Sequence, residues 1–146
     1  MYRLVSVLLV VGAVAVSGEE EGIHGLISKA FNKCKAQYPI SDAELEMVRE
    51  KENVPDSANA KCIMACLLKE GKIMKDGKYY AENALLMIDI LHKNEPETAA
   101  KAKKVVEHCA DQVGSDAGSE ECEFAYKMAV CASAEAKKVG VHPPEF

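Results

Sequence analysis

The chain has 146 residues and a formal net charge of −5, with 23 acidic against 18 basic side chains. That length suits one domain, and the acidic balance argues against nucleic acid or anionic lipid as a partner. The first eighteen residues set the compartment. Met1 to Arg3 is a short basic start, and Leu4 to Val16 is an apolar run of 13 residues interrupted by Ser6 and Gly12. Val16 and Gly18 are small enough for the −3 and −1 positions of a signal-peptidase site. A spanning helix needs about 20 apolar residues, more than this run supplies. The expectation is a cleaved signal over residues 1–18, then one secreted domain over residues 19–146 with no membrane anchor. Loss of Arg3 takes the net charge from −5 to −6.

The remaining periodicity is helical almost throughout, with no period-2 strand and no internal repeat. A first helix is expected from about Glu20 to Ala36, because Ile23, Ile27, Ala30 and Cys34 recur on one helical face. Tyr38-Pro39 ends it, since a residue before proline avoids helical angles. Ser41 opens a short second helix, and Glu44 completes a capping box. Asp56 or Ser57 caps a third helix to about Glu70, with Ala60, Ile63, Met64 and Leu67 on one face and Gly71 as its stop. Lys72 to Lys78 is a linker carrying an Asp76-Gly77 turn signal.

Tyr80 to Lys93 is a fourth helix. Its run of Leu85, Leu86, Met87, Ile88, Ile90 and Leu91 is apolar almost all round, the pattern of a helix buried from several sides. Pro96 suits the first turn of a fifth helix to about Val113. There Ala99, Ala102, Val106, Cys109 and Val113 form the apolar stripe, and Lys101, Lys104, Glu107 and Asp111 the solvated face. After a Gly/Ser/Asp turn, Ser119 is expected to cap a sixth helix to about Lys138. One of its stripes contains Cys122, Ala125, Tyr126 and Ala129; another contains Phe124, Met128 and Cys131. Gly140 stops it, and a tail of two prolines ends on Phe146.

Six cysteines in a secreted chain imply a disulfide framework, and six allow 15 pairings. Cys122 and Cys131 lie nine apart on one helix and project from opposite sides, so they cannot pair with each other. Cys62 and Cys66 share a face but serve different partners. Each staple therefore joins distant helices and contributes roughly 2–4 kcal/mol.

The gaps between the cysteines are 27, 3, 42, 12 and 8 residues. In this spacing, with its signal segment, acidic charge and six helices, the chain resembles the insect odorant-binding proteins. That group includes the pheromone-binding and general odorant-binding proteins, and the resemblance spans essentially the whole of residues 19–146. It implies an all-α fold of about six helices around an apolar cavity, stapled by three disulfides: Cys34–Cys66, Cys62–Cys122 and Cys109–Cys131. It also implies a carrier of poorly soluble volatile compounds in the fluid around chemosensory neurons.

Candidate ligand-binding residues are the apolar side chains Ile63, Met64, Leu67, Leu68, Leu85, Ile88, Leu91, Val106, Phe124 and Met128, with Phe146 at the tail. Ordinary core packing accounts for the same stripes. Methionine adapts to varied ligand shapes, and the absence of tryptophan argues against a stacked aromatic cage. Flexible aliphatic alcohols, aldehydes, esters or fatty acids are the expected ligands. Tyr126 is a candidate hydroxyl for a ligand oxygen, against a core tyrosine bonded to backbone. In some family members the C-terminal segment covers the cavity and acid releases the ligand; His142 and Glu145 are the corresponding candidates for a pH-sensitive lid, against a disordered tail.

His24, His92, His108 and His142 are scattered, as surface or helix-end residues are, and no Cys-x-x-Cys pair suggests zinc. Neither a Gly-x-Ser-x-Gly elbow nor a His-Glu-x-x-His motif occurs, and no phospholipase-like His-Asp pair is present. The expectation is a protein that is not an enzyme and takes no cofactor or metal. Its partners are a small apolar ligand and a chemosensory receptor, not nucleic acid, and it is a monomer or weak homodimer. Two alternatives stand beside the odorant carrier: a carrier of apolar ligands in a non-olfactory secretion, and a stapled interaction module with no cavity.

Overall fold

The computed structural model describes residues 19–50 and 53–142, with side chains from residue 22 onward. The signal segment over residues 1–18 lies outside the described residues, as do Glu145 and Phe146. Within them the chain forms α1 (Glu19–Gln37), α2 (Asp42–Glu50), α3 (Ala58–Glu70), β1 (Met74–Lys75), β2 (Lys78–Tyr79), α4 (Ala81–Leu91), α5 (Pro96–Val113) and α6 (Glu121–Val139).

Local chemistry explains most of these limits. At the start of α2 the Glu44 N–H donates to Ser41 Oγ at 3.2 Å and the Ser41 N–H donates to Glu44 Oε2 at 3.3 Å, a reciprocal capping box. Ser57 is extended and its hydroxyl accepts from the Ala60 N–H at 3.1 Å, which caps α3. Pro96 occupies the first turn of α5, where its missing N–H has no intrahelical partner to lose. Gly140 ends α6 in the left-handed conformation, φ 73°.

Three features differ from the sequence expectation. The 72–78 linker contains a two-strand hairpin, in which Met74 pairs with Tyr79 and Lys75 with Lys78. Asp76 and Gly77 turn it with φ of 53° and 73°, the paired left-handed geometry that tight hairpins need. Two-residue strands are too short to show alternation, so only the turn was visible. The second difference concerns α6: it starts at Glu121, and no side chain caps it. Asp116 takes the local role instead, accepting from the Gly118 N–H at 3.0 Å, and the Glu120 N–H bonds Ala117 O at 2.9 Å. That turn carries the chain past Ser119 before the helix begins.

The third difference is α4. Ala84 is its buried residue, while Leu86 and Ile90 are 60% and 56% exposed. The helix packs on α5, which covers one side and leaves the other outward.

The core has two parts. The larger gathers Ala65, Met74, Tyr79, Ala84, Val105, Cys109, Phe124, Ala125 and Met128, with Tyr79 and Phe124 in tilted ring contact at 5.8 Å. The smaller gathers Phe31, Cys34, Ile63 and Cys66. Helix α3 supplies both, and it packs on α1 and α6. Three disulfides brace this arrangement: Cys34–Cys66 joins α1 to α3, Cys62–Cys122 joins α3 to α6, and Cys109–Cys131 joins α5 to α6. Their Cα separations are 5.7, 4.5 and 5.7 Å, within the span a disulfide closes.

Candidate ligand-binding core

The aliphatic side chains of this fold are unusually open. None of the seven leucines between Leu26 and Leu91 is buried, and Ile63 alone is buried among the seven isoleucines described. Leucine and isoleucine are among the residues most often fully enclosed, and enclosing one stabilises a fold by about 1.5–3 kcal/mol. Much of that apolar surface is half-covered here, so an apolar molecule has surface to desolvate. The three disulfides supply stability that the packing leaves unrealised.

The ten aliphatic, methionine and phenylalanine candidates do not fall in one place. Phe124 and Met128 sit in the larger core, and Met64, Leu68 and Val106 pack against it half-buried. Ile63 and Leu67 belong to the smaller core, on the other face of α3. Leu85, Ile88 and Leu91 are half-buried on α4. His142 is exposed just beyond α6. Two α-helical faces therefore carry the candidates, with α3 between them.

A pocket of about 360 Å³ opens elsewhere, between the end of α1, one face of α3 and the start of α6. Its lining includes Lys69, Glu70, Glu120, Glu121 and Glu123 together with the cystine residues Cys62, Cys66 and Cys122. None of the apolar candidates lines it. The Lys69 ammonium lies 3.1 Å from Glu121 Oε2, an oxygen that is buried and makes no hydrogen bond in good geometry. This mouth is polar, and its chemistry is opposite to that of a site for an aliphatic chain.

Charged contacts flank the frame, some between helices and some within one. Lys61 bonds Glu123 at 2.6 Å and lies 4.7 Å from the centre of the Tyr126 ring. The Glu123 bond holds the Lys61 ammonium above its usual range. Tyr126 thus faces a surface cation with its ring. Glu135 Oε1 accepts from Lys138 at 2.8 Å and faces His108 Nε2 at 3.6 Å. The Lys138 bond holds the Glu135 carboxyl below its usual range. His92 closes α4 and faces Glu95 at 3.3 Å; His24 and His108 are exposed. Among the described residues no group of three metal-ligating side chains converges, and no helix is long and apolar enough to cross a membrane.

Sequence reasoning passed over Tyr79. Its aromatic neighbour Tyr80 and the short strand hid it; the one available signal was its place opposite Met74 across the Asp76-Gly77 turn.

The family model described as "PBP/GOBP family" matches residues 19–135. The chain belongs to this family of insect odorant-binding proteins. Its members are non-enzymatic carriers. General odorant-binding protein 19d of Drosophila melanogaster is 25% identical over 139 residues, which cover 94% of this chain and 90% of that protein. Odorant-binding protein dmelOBP28a from Drosophila melanogaster has a solved structure that superposes with a TM-score of 0.67 at 24% identity, over 84% of this chain and 99% of that one. That likeness establishes the six-helix, disulfide-braced PBP/GOBP fold.

Proposed function

We infer that this PBP/GOBP protein is an extracellular carrier: it takes up a small hydrophobic molecule among its core helices and conveys it through aqueous fluid toward chemosensory receptors. The observation that carries the reading is the set of half-covered aliphatic side chains on a covalently braced frame. Residues 1–18 act as the export signal and residues 19–146 as the carrier domain. Met64, Leu68, Val106, Phe124 and Met128 make one apolar wall, and Leu85, Ile88 and Leu91 on α4 add a second. The tail that carries His142, Glu145 and Phe146 serves in this reading as a lid over the ligand.

Displacement of a fluorescent naphthylamine probe tests the carrier. One saturable site emptied by long-chain alcohols, aldehydes or esters is expected; no probe uptake overturns the reading. Quenching of intrinsic fluorescence is a poor substitute in a chain without tryptophan. The lid is tested by deleting residues 141–146. Unchanged affinity at both neutral and acid pH would reject it. A second reading rests on Leu86 and Ile90, whose exposure on α4 also suits a stapled interaction module. Such a module would bind a protein partner and leave the probe in solution.

A further inference from the structure

The three bridges differ in how they meet solvent. Cys34 is 0% exposed and its partner Cys66 8%; Cys109 is 1% exposed, and its partner Cys131 is half-buried. Cys62–Cys122 is the bridge in which neither cysteine is buried. Both of its cysteines line the polar pocket of about 360 Å³ between α1, α3 and α6, which gives a small solute a route to the bridge. Cys66 lines the same pocket. A thiol that attacked it, however, would expel Cys34 as an anion into the smaller apolar core beside Phe31 and Ile63, and an unpaired buried charge is costly. Attack at Cys131 would likewise expel Cys109 into the larger core. Attack at Cys62 expels Cys122 instead. Cys122 is the second residue of α6, whose start has no side-chain cap, and the free N–H groups of a first helical turn stabilise an anion. Glu121 and Glu123 share that turn, but each is already paired with a lysine, Lys69 and Lys61.

We propose that Cys62–Cys122 is a thiol-exchange site, opened through the polar pocket by a small thiol while the other two bridges stay closed. A thiolate attacks Cys62 Sγ, the S–S bond breaks, and its electron pair leaves on Cys122, which takes a proton from water. A second thiol then displaces Cys62 from the mixed disulfide. The protein's cystine is reduced to two thiols, and two molecules of the small thiol are oxidised to their disulfide. The pocket sets the class of thiol. Of its four glutamates, Glu70, Glu121 and Glu123 are each paired with a lysine, and Glu120 has no such partner among the described residues. The excess negative charge favours a cationic thiol over an anionic one. Opening this bridge unties α3 from α6, and the proposed apolar wall is built on both, with Met64 and Leu68 on one and Phe124 and Met128 on the other. Resting on the carrier reading, exchange therefore acts as a release device. The Lys61–Glu123 and Lys69–Glu121 pairs still join the two helices, so the thiols stay near each other and the bridge can re-form.

The test follows exchange on the oxidised protein without denaturant, using cysteamine, whose thiolate carries an ammonium, and 3-mercaptopropionate, whose thiolate carries a carboxylate. Free thiols are alkylated at intervals and located by peptide mass. Cys62 and Cys122 are expected to label about tenfold or more ahead of the other four, because buried sulfurs react only through local opening. Each thiol's rate is divided by its rate on hydroxyethyl disulfide, which removes the difference in intrinsic reactivity. On that scale cysteamine should be favoured by about three- to tenfold at low salt, and the gap should close as salt is added. Another bridge opening first, or all three opening together, overturns the exchange site. Equal preference for the two thiols overturns the pocket as the route. Bound naphthylamine probe should be lost in step with labelling of Cys62 and Cys122, and a probe that stays bound overturns the release device. If the untreated protein takes up no probe, the carrier reading fails, while the labelling order still decides the exchange site.

Discussion

At Gly77 the hairpin after α3 touches the loop before α6. Its φ of 73° is left-handed, and a Cβ there would stand 2.4 Å from Gly118 O, a backbone atom that cannot swing aside. The Ala117 N–H also donates to Gly77 O at 2.7 Å. Gly77→Ala is therefore expected to destabilise by more than the roughly 1–2 kcal/mol of left-handed strain alone. Gly140→Ala is the comparison: it has the same left-handed φ of 73° but open space around its Cβ. Urea denaturation of both variants checks the ordering, and equal losses would remove the steric part of the account. At this scale the sequence was a good guide where one side chain meets a neighbouring N–H, as at Ser41 and Ser57, or where a residue lacks one, as at Pro96. It failed at Ser119, because the Asp116 turn that displaces the helix start depends on a loop already fixed against Gly77.

Helices were legible because each keeps a long apolar stripe, and their ends fell within a few residues of the capping signals. What a stripe cannot reveal is which neighbours exist to cover it. Leu85 to Leu91 read as a helix enclosed on all sides, and it has one broad partner, α5. The bridges act between helices, so their loss belongs at this scale too. Replacing both Cys109 and Cys131 by serine should cost about 2–4 kcal/mol, read as a lower urea midpoint with α5 and α6 loosened. The Lys61–Glu123 clasp between α3 and α6 adds a pH signature. The Lys61 pKa is raised above 10.5, chiefly by its bond to Glu123. Its contribution is complete below pH 10.5 and disappears as pH rises through the elevated value. Lys61→Met should remove that alkaline decline from the stability profile; an identical profile would show that the clasp does not bind the helices. Glu135 works in the opposite direction, its carboxyl lying below 4.5 because of Lys138. Its contribution is present above pH 4.5 and fades as pH falls through the depressed value.

For the whole molecule, a ligand that binds only the folded chain must stabilise it. At a free concentration a hundred times its Kd the gain is about 2.7 kcal/mol, a rise in Tm on the order of 10 °C for a domain of this size. No rise with any aliphatic ligand would count against a site in the core. The spacing of six cysteines was enough to indicate the family. The division of the apolar candidates across α3 was not readable, because adjacent residues such as Ile63 and Met64, or Leu67 and Leu68, look alike until the neighbouring helices take their places. Treated as a graph of covalent crosslinks, the bridges form one path, α1 to α3 to α6 to α5. Helices α2 and α4 are not nodes on it. A path of this kind keeps four helices in register even when packing loosens, and it leaves α4 held by its two loops and by α5. The wall that carries Leu85, Ile88 and Leu91 is thus the one that can move without straining a bridge. Amide hydrogen exchange on the oxidised protein should rank accordingly, with α4 exchanging well before α3 and α6, and with the added ligand slowing α4 most.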